Sequence, residues 1–340
     1  MQLSMLSESK ILEKITKLGD SLETLTKIID FEIFRKKIRQ AMYKVPKGAG
    51  GRPKYDEVMM FKILILQRMY NLSDDEMEYQ LNDRISFRRF IGLSLEDEIP
   101  DSKTIWLFRD NLSKNGVIEK LFKIFNEKME EANLITRAGT IVDATFIEAP
   151  KQRNTREENK KIKENEIPEE WKENPHKLSQ KDIDAKWTKK GNVVYYGYKN
   201  HVKADLESKL ILDYTVTSAN VHDSQELHKL VNKNDKKIYA DTAYSGETIV
   251  EQIPENVEIQ ILEKAYRNRP LTGEQKQRNK EKTKLRCRIE HIFGYMTNKF
   301  KGLTLRSIGM TRAKFNIGLT NLLYNMFRYA FLRLKSISVG

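Results

Sequence analysis

The spacing of the hydrophobic residues changes at Gly139, and this change constrains the fold more than any other feature of the sequence. Before it, apolar residues recur every three or four positions, for example over 11–25 and 59–69, which is typical of amphipathic helices. After it, short runs of β-branched and apolar residues predict strands. A chain of 340 residues, 39% of them hydrophobic, is long enough for about two domains. We therefore predict an all-helical domain over 1–135 and a mixed α/β domain over 136–335.

Capping residues place two helix starts in the N-terminal domain. Ser73 and Glu76 have the spacing of a capping box, and Asp101 or Ser102 can cap a further helix. Short helices of this kind are compatible with a helix-turn-helix that reads DNA. They are equally compatible with an ordinary helical bundle, which the spacing alone favours.

The order of elements after Gly139 predicts the fold class of the second domain. Three strands come first and form an antiparallel meander, and the later strands alternate with helices. A polar insertion at about 151–190, with 21 charged residues in forty, interrupts the meander after the first strand. This mixed order is the ribonuclease H-like arrangement, an analogy that does not by itself fix a function. The predicted strands are 140–147, 193–198, 209–217, 237–240 and 258–262, and the predicted helices are 224–231, 247–252, 273–299 and 311–334.

Positive charge is concentrated in two parts of the chain. From Lys264 to Gly340 there are 18 Lys and Arg against three acids, a net of +15 that exceeds the +13 of the whole chain. The block from Arg35 to Lys54 holds eight Lys and Arg and no acid. Segregated positive charge suits a polyanion, because each neutralised phosphate releases counterions. Nucleic-acid binding is therefore the predicted role of this charge, with a solubilising surface as the alternative.

The composition also narrows the location of the chain. No apolar run approaches the ~18 residues of a membrane helix, and the first residues do not form a signal peptide. The single cysteine, Cys287, excludes an intrachain disulfide and a cysteine-cluster zinc site. We expect a soluble, cytoplasmic protein with no membrane partner.

Three carboxylates stand where this topology brings acids together. Asp143 lies inside the first strand, Asp241 directly follows the fourth, and Glu290 lies on a helix near the C-terminus. Each has an alternative interpretation when taken alone. An Asp at a strand end often caps a turn, and Arg286, one turn before Glu290, can pair with it. Taken together, three oxygen-rich ligands near phosphate suit Mg²⁺, and two such ions support in-line phosphoryl transfer.

Several motifs along the chain together resemble those of a known protein family. The chain resembles the bacterial insertion-sequence transposases of family five, within the wider group that carries an Asp-Asp-Glu triad. The resemblance covers about residues 30–330 and is specific because the motifs occur as an ordered set. They are Gly51–Tyr55, Tyr70–Asp74, Arg88–Leu93, Val142–Phe146, Tyr196–His201, Val221–Ser224, Ala240–Tyr244 and Arg286–Gly294.

The resemblance implies an activity, cofactors and partners. Asp143, Asp241 and Glu290 would be the catalytic residues and would bind two Mg²⁺ ions, with Mn²⁺ as a possible substitute. The helical region would help to recognise the terminal inverted repeats of the element. The enzyme would cut double-stranded DNA at those ends and join the 3′-hydroxyls to target DNA. A homodimer in the synaptic complex and an association with the bacterial nucleoid are likewise implied by the resemblance.

Further residues complete the predicted site. Asp223 is the strongest rival to Asp241 as second metal ligand, although it precedes a helix and can simply be an N-terminal helix charge. His201, His222 and Asp223 are assigned roles behind the metal ligands rather than direct catalysis. The predicted DNA-binding residues are Arg52, Lys54, Lys199, Lys284, Arg286 and Arg288.

Two other functions remain open at this stage. A structure-specific nuclease on the same fold would cut DNA with metal but would not join the ends to a target. An inactive transposase-derived repressor would bind the terminal repeats without metal-dependent cleavage. The presence of all three acids favours the transposase over the repressor.

Overall fold

The computed structural model describes residues 5–43, 54–244, 251–265 and 269–339. These residues form two compact units. One comprises Met1–Phe125 with Leu319–Gly340, and the other comprises Asn126–Gly318. The predicted domain boundary after residue 135 thus lies ten residues beyond the division between the units. The sequence also did not indicate that the C-terminal segment joins the first unit.

The first unit is helical, as predicted. Its 3-10 turn Phe31–Phe34 separates the second and third helices. Ser73 caps its helix through a capping box with Glu76, and Asp101 caps the helix that starts at Ser102. The helices are α1 Met5–Lys17, α2 Ser21–Ile28, α3 Arg35–Met42, α4 Glu57–Tyr70, α5 Asp74–Asp83, α6 Ile85–Ile91, α7 Ser102–Lys114 and α8 Val117–Glu131, whose last residues belong to the second unit.

Buried polar contacts hold the first unit together. The Arg68 guanidinium on α4 donates to Thr320 Oγ1 at 2.7 Å, which ties the C-terminal segment to the helical core. Arg88 of α6 donates to the backbone carbonyls of Leu81 and Ser94. These arginines therefore satisfy buried carbonyl and hydroxyl groups, which would otherwise cost free energy on folding.

A mixed sheet forms the centre of the second unit. Its strands are β1 Thr140–Glu148, β2 Lys186–Lys190, β3 Val193–Asp205, β4 Ile211–Ser218, β5 Lys237–Ala240 and β6 Glu258–Ile261. β3 lies antiparallel to β1 and β4, whereas β5 lies parallel to β1 and β6 parallel to β5. β2 extends the sheet beside the first half of β3. The path β4–β3–β1–β5–β6 confirms the ribonuclease H-like core.

The helices of the second unit follow the predicted order. They are α9 Arg156–Lys163, α10 Glu169–Lys172, α11 Pro175–Ser179, α12 Leu227–Leu230, α13 Gly273–Arg286, α14 Arg288–Lys299 and α15 Met310–Val339, which continues into the first unit. A 3-10 turn, Asp223–Glu226, precedes α12. The helix predicted over 273–299 is divided at Cys287 into α13 and α14. Most of the helix predicted over 247–252 lies outside the described residues.

The polar insertion is folded around two buried side chains. Trp171 is fully buried and its indole N–H donates to Glu158 Oε1 at 2.7 Å. The buried Asp182 carboxylate accepts the Tyr198 hydroxyl of β3 at 2.8 Å and the backbone N–H of Gly309 at 3.0 Å. Three short helices and β2 thus replace a long loop, because these contacts fasten the segment to the sheet.

Gly197 explains one motif of the family resemblance. Its φ is +145°, and a Cβ at this position would lie 2.3 Å from the Ile147 carbonyl oxygen. Any side chain would therefore collide with the backbone of β1. The glycine between Tyr196 and Tyr198 allows β3 to approach β1 closely where the insertion leaves the sheet.

Candidate active site

Asp143 lies on β1, and Asp241 directly follows β5, the neighbouring parallel strand. β1 pairs with β5 at Ile141 and Tyr239. Asp143 follows Ile141 by two positions, and Asp241 follows Tyr239 by two positions in the same direction. Adjacent strands are about 4.8 Å apart, so this register places the two acids side by side.

The electrostatics of Asp143 agree with this placement. Burial raises the pKa of Asp143, and the negative charge of Asp241 raises it further. The Ala144 N–H, the Arg286 guanidinium and the Lys190 ammonium oppose the rise. A nearby cation stabilises the charged form of a carboxylate that is buried beside a second acid.

Glu290 reaches the same site from a helix. α14 packs on β1 and buries Ile289, Ile292 and Met296, which leaves Glu290 in its first turn with a side chain that is 61% exposed. The break at Cys287 separates Glu290 from Arg286, the last residue of α13. The two residues nevertheless remain one turn apart.

Arg286 connects two of the three acids. Its Nη1 donates to Asp143 Oδ2 at 2.8 Å, and its Nη2 donates to Glu290 Oε1 at 3.3 Å. The local pair with Glu290 was one of the sequence expectations, whereas the pair with Asp143 was not. A single guanidinium therefore brings together acids from the first strand and a C-terminal helix.

The donor set fits a divalent metal in its chemistry. All three acids offer carboxylate oxygens, the ligand type that Mg²⁺ prefers. Two of them, Asp143 and Glu290, already pair with the guanidinium of Arg286. In the described part of the chain, no three His, Cys, Asp or Glu side chains converge as a ready-made ligand set. The position between Asp143 and Glu290 is instead held by Arg286. The assignment of Asp143, Asp241 and Glu290 as metal ligands remains a prediction.

Asp223 is already paired with a lysine. Its Oδ1 accepts a hydrogen bond from Lys199 Nζ at 2.8 Å, and Lys199 also donates to the Val221 carbonyl at 2.7 Å. Asp223 begins a 3-10 turn, as its alternative interpretation as a helix-start charge suggests, and His222 caps that turn. Lys199 is only 8% exposed, so its ammonium serves this buried pair.

Tyr244 is a buried residue on which the charges of these aspartates act. It was assigned no role from the sequence. Its hydroxyl is buried and has no hydrogen-bond partner within the ranges described above. Burial raises its pKa well above the usual value, and the charges of Asp143, Asp223 and Asp241 add to the rise. The motif Ala240–Tyr244 was the available signal, since it places a tyrosine three residues after a candidate ligand.

The remaining predicted DNA-binding residues differ in their exposure. Lys54 and Lys284 are exposed. Arg288 donates to the Leu206 carbonyl at 2.8 Å and is partly buried. Arg52 lies outside the described residues. Lys190, which the sequence interpretation did not single out, is exposed and close enough to influence Asp143.

His201 is a buried neutral histidine. Its side chain is 0% exposed, its Nε2 lies 2.8 Å from Thr217 Oγ1, and its Nδ1 lies 3.9 Å from Asp223 Oδ1. Burial lowers the pKa of His201 to about 4, against the opposing charges of Asp223 and Glu226. The neutral ring is therefore the form present at pH 7.

His201 is expected to make stability depend on pH. Because its folded pKa of about 4 lies below the unfolded value of 6.5, only the unfolded chain takes up the proton between these values. The stabilisation is complete above pH 6.5 and is lost as the pH falls towards 4, by about 2 kcal/mol at pH 5. Urea unfolding at pH 7.5, 6 and 5 should show a shallower pH dependence for His201→Gln than for wild type. Identical pH dependences would contradict this assignment.

Comparison with known proteins shows the family to which the chain belongs. A family model described as "Transposase DDE domain" matches residues 136–326, and one described as "Transposase domain (DUF772)" matches residues 9–111. The chain therefore belongs to the transposases with a DDE domain. Both the helical region and the sheet with its acids are accounted for by transposase models.

A solved structure with a weak likeness is also a transposase. It is described as "Cryo-EM structure of piggyBac transposase synaptic complex with hairpin DNA (SNHP)". The match covers 94% of this chain and 74% of that one, with 13% sequence identity and a TM-score of 0.44. A likeness at this level says nothing about the site.

In the part of the chain that is described, no helix is long and apolar enough to cross a bilayer.

Proposed function

We propose that the protein is a DNA transposase of insertion-sequence family five that acts on the terminal inverted repeats of its own bacterial element. In this proposal it cleaves DNA at the element ends and joins the freed 3′-hydroxyls to target DNA. The observation that carries the proposal is the meeting of Asp143 and Glu290 at one guanidinium, with Asp241 beside Asp143 in the strand register.

The three acids would act by binding and orientation. Asp143 and Asp241 are fixed by the sheet, and each accepts the backbone N–H of the next residue, at 2.8 and 2.6 Å. Glu290 is 61% exposed and would turn towards them on release from Arg286. Two divalent ions, Mg²⁺ or Mn²⁺ in its place, would activate the attacking water or 3′-hydroxyl and stabilise the leaving oxygen.

A stripe of lysines on α13 offers a track for the DNA backbone. Lys276, Lys280 and Lys284 are exposed and spaced by four residues, so they lie on one face of the helix about 6 Å apart. Other cations of α13 are engaged within the protein, since Arg278 pairs with Glu263 and Lys282 donates to the Ile261 carbonyl. The stripe ends two residues before Arg286, whose position on the helix is on the opposite face of α13.

Neutralising two lysines of this stripe should weaken DNA binding and flatten its salt dependence. For Lys280→Gln/Lys284→Gln we expect the slope of log K against log[salt] to fall by about 1.8, because each phosphate contact contributes about 0.9. Fluorescence anisotropy with a duplex at several salt concentrations measures this slope. The control Lys233→Gln/Lys236→Gln removes the same charge from exposed lysines elsewhere in the unit. Equal slopes for both variants would remove α13 from the DNA path.

The assembly and its location follow from the same proposal. Cutting and joining two element ends in one complex calls for two sites, and a homodimer supplies one from each copy. A protein that works on inverted repeats of the chromosome acts at the nucleoid.

The proposal is tested by mapping strand breaks on DNA that carries the gene with its native flanks. Purified protein with Mg²⁺ should nick this DNA at inverted repeats and should yield products joined to a second DNA, and EDTA should abolish both. Metal-dependent cutting without joined products would identify a nuclease instead. Binding at the repeats without any cutting, also with Mn²⁺, would identify a repressor derived from a transposase.

A further inference from the structure

Arg286 occupies the oxygens that the proposed metal site needs. Both oxygens of Asp143 accept a hydrogen bond, Oδ1 from the Ala144 N–H and Oδ2 from Arg286 Nη1, each at 2.8 Å. Glu290 Oε1 accepts from the other terminal nitrogen of the same guanidinium. A divalent ion placed between these carboxylates would be repelled by the adjacent guanidinium. Metal binding at Asp143 and Glu290 and this position of Arg286 therefore oppose each other.

Arg286 also has one hydrogen-bond donor that is not used within the described residues. Its Nε–H is buried and makes no hydrogen bond to the described residues, and its side chain is 14% exposed. An unmade hydrogen bond of a buried charged group costs free energy, which favours a conformation that satisfies it. Guanidinium groups bind phosphate through two parallel N–H donors, a geometry that carboxylates on two different elements do not offer.

DNA can bring a phosphate to this point. The cleavage step of the proposed function requires a phosphate beside Asp143 and Glu290, and Arg286 contacts both of these carboxylates. A scissile phosphate at these acids would therefore lie within reach of the Arg286 guanidinium. The helix break at Cys287 places Arg286 at the end of α13.

We propose that Arg286 couples DNA binding to metal binding by exchanging Asp143 and Glu290 for a DNA phosphate. Without DNA, Arg286 holds the two carboxylates and disfavours the divalent ion. With DNA, Arg286 turns to the phosphate and both carboxylates become free to bind metal. This inference rests on the proposed function, and by linkage it requires that metal also raises the affinity for DNA by the same factor.

The coupling is measured as Mn²⁺ affinity with and without DNA. Free Mn²⁺ is followed by electron paramagnetic resonance in titrations of the full-length protein, alone and with a 20-base-pair duplex, whose own Mn²⁺ binding is subtracted. We expect the duplex to raise the Mn²⁺ affinity of wild type at least about tenfold. In Arg286→Gln, Mn²⁺ should bind tightly without DNA, and the duplex should change its affinity less than about twofold.

Control variants separate the possible failures. Arg286→Lys keeps the charge but loses the forked donors, so it should retain the block without DNA and lose most of the release by DNA. Less than twofold coupling in wild type, or full coupling in Arg286→Gln with native thermal unfolding, would overturn the inference. If Asp143→Asn left Mn²⁺ binding unchanged in every titration, the metal site of the proposed function would fail instead.

Discussion

Asp143→Asn is expected to reduce DNA strand cleavage by at least about a thousandfold, because a lost metal ligand removes several kcal/mol of transition-state stabilisation. Measured without divalent metal, DNA affinity should stay within about threefold of wild type, since it depends mainly on phosphate contacts elsewhere. The amide is nearly isosteric with the carboxylate and can still accept the Ala144 N–H. Cleavage rates on end-labelled DNA and anisotropy binding curves provide the two readings.

A matched control excludes a general effect of charge. Glu207 is exposed in the turn after β3, and Glu207→Gln changes the net charge by the same amount in the same unit. It should cleave at the wild-type rate. If Asp143→Asn also cleaved at that rate, Asp143 would not be a metal ligand.

Removing the charge of Lys203 is expected to produce the largest loss of stability. Lys203 and Asp235 are 1% and 0% exposed, and Lys203 Nζ donates to Asp235 Oδ2 at 2.9 Å. Lys203→Met leaves a buried, unpaired carboxylate, and the free energy of unfolding should fall by about 3–5 kcal/mol. Lys203 pairs with Val142 across the strands, so the loss acts on the strand that carries Asp143.

The double variant distinguishes the pair from simple loss of packing. Lys203→Met/Asp235→Leu removes both charges, and it should recover most of the stability lost in the single variant. Urea unfolding of the three proteins measures the difference. A single variant within 1 kcal/mol of wild type, or a double variant that is no better than the single one, would show that the ion pair is not the cause.

Local patterns in the sequence predicted most of the fold. β1, β5 and β6 were readable because short apolar runs end in turn residues, and Ser73 was readable because a capping box is contained within four residues. The break at Cys287 was not readable, since the apolar stripe continues through it. The helices of the insertion were not readable, because a segment with 21 charged residues in forty shows little hydrophobic periodicity.

The candidate site was predictable in its residues but not in its contacts. Asp143, Asp241 and Glu290 could be chosen from their positions on strands and a helix. The pair of Arg286 with Glu290 spans one helical turn and was foreseen, whereas the pair with Asp143 joins residues 143 positions apart. Separation in sequence also hides the influence of Lys190 on Asp143 and that of Asp143 and Asp223 on Tyr244. Such contacts depend on the register of the whole sheet.

The central claim, that Asp143, Asp241 and Glu290 together bind the divalent ions that act on DNA, is tested most directly by locating the metal. Fe²⁺ bound in place of Mg²⁺ generates hydroxyl radicals with peroxide and ascorbate, and these cut the polypeptide next to the ion. With DNA present, we predict cuts near residues 143, 241 and 290 that excess Mg²⁺ suppresses and that Asp143→Asn lacks. Cuts confined to other parts of the chain, or cuts at these positions that persist in Asp143→Asn, would contradict the account.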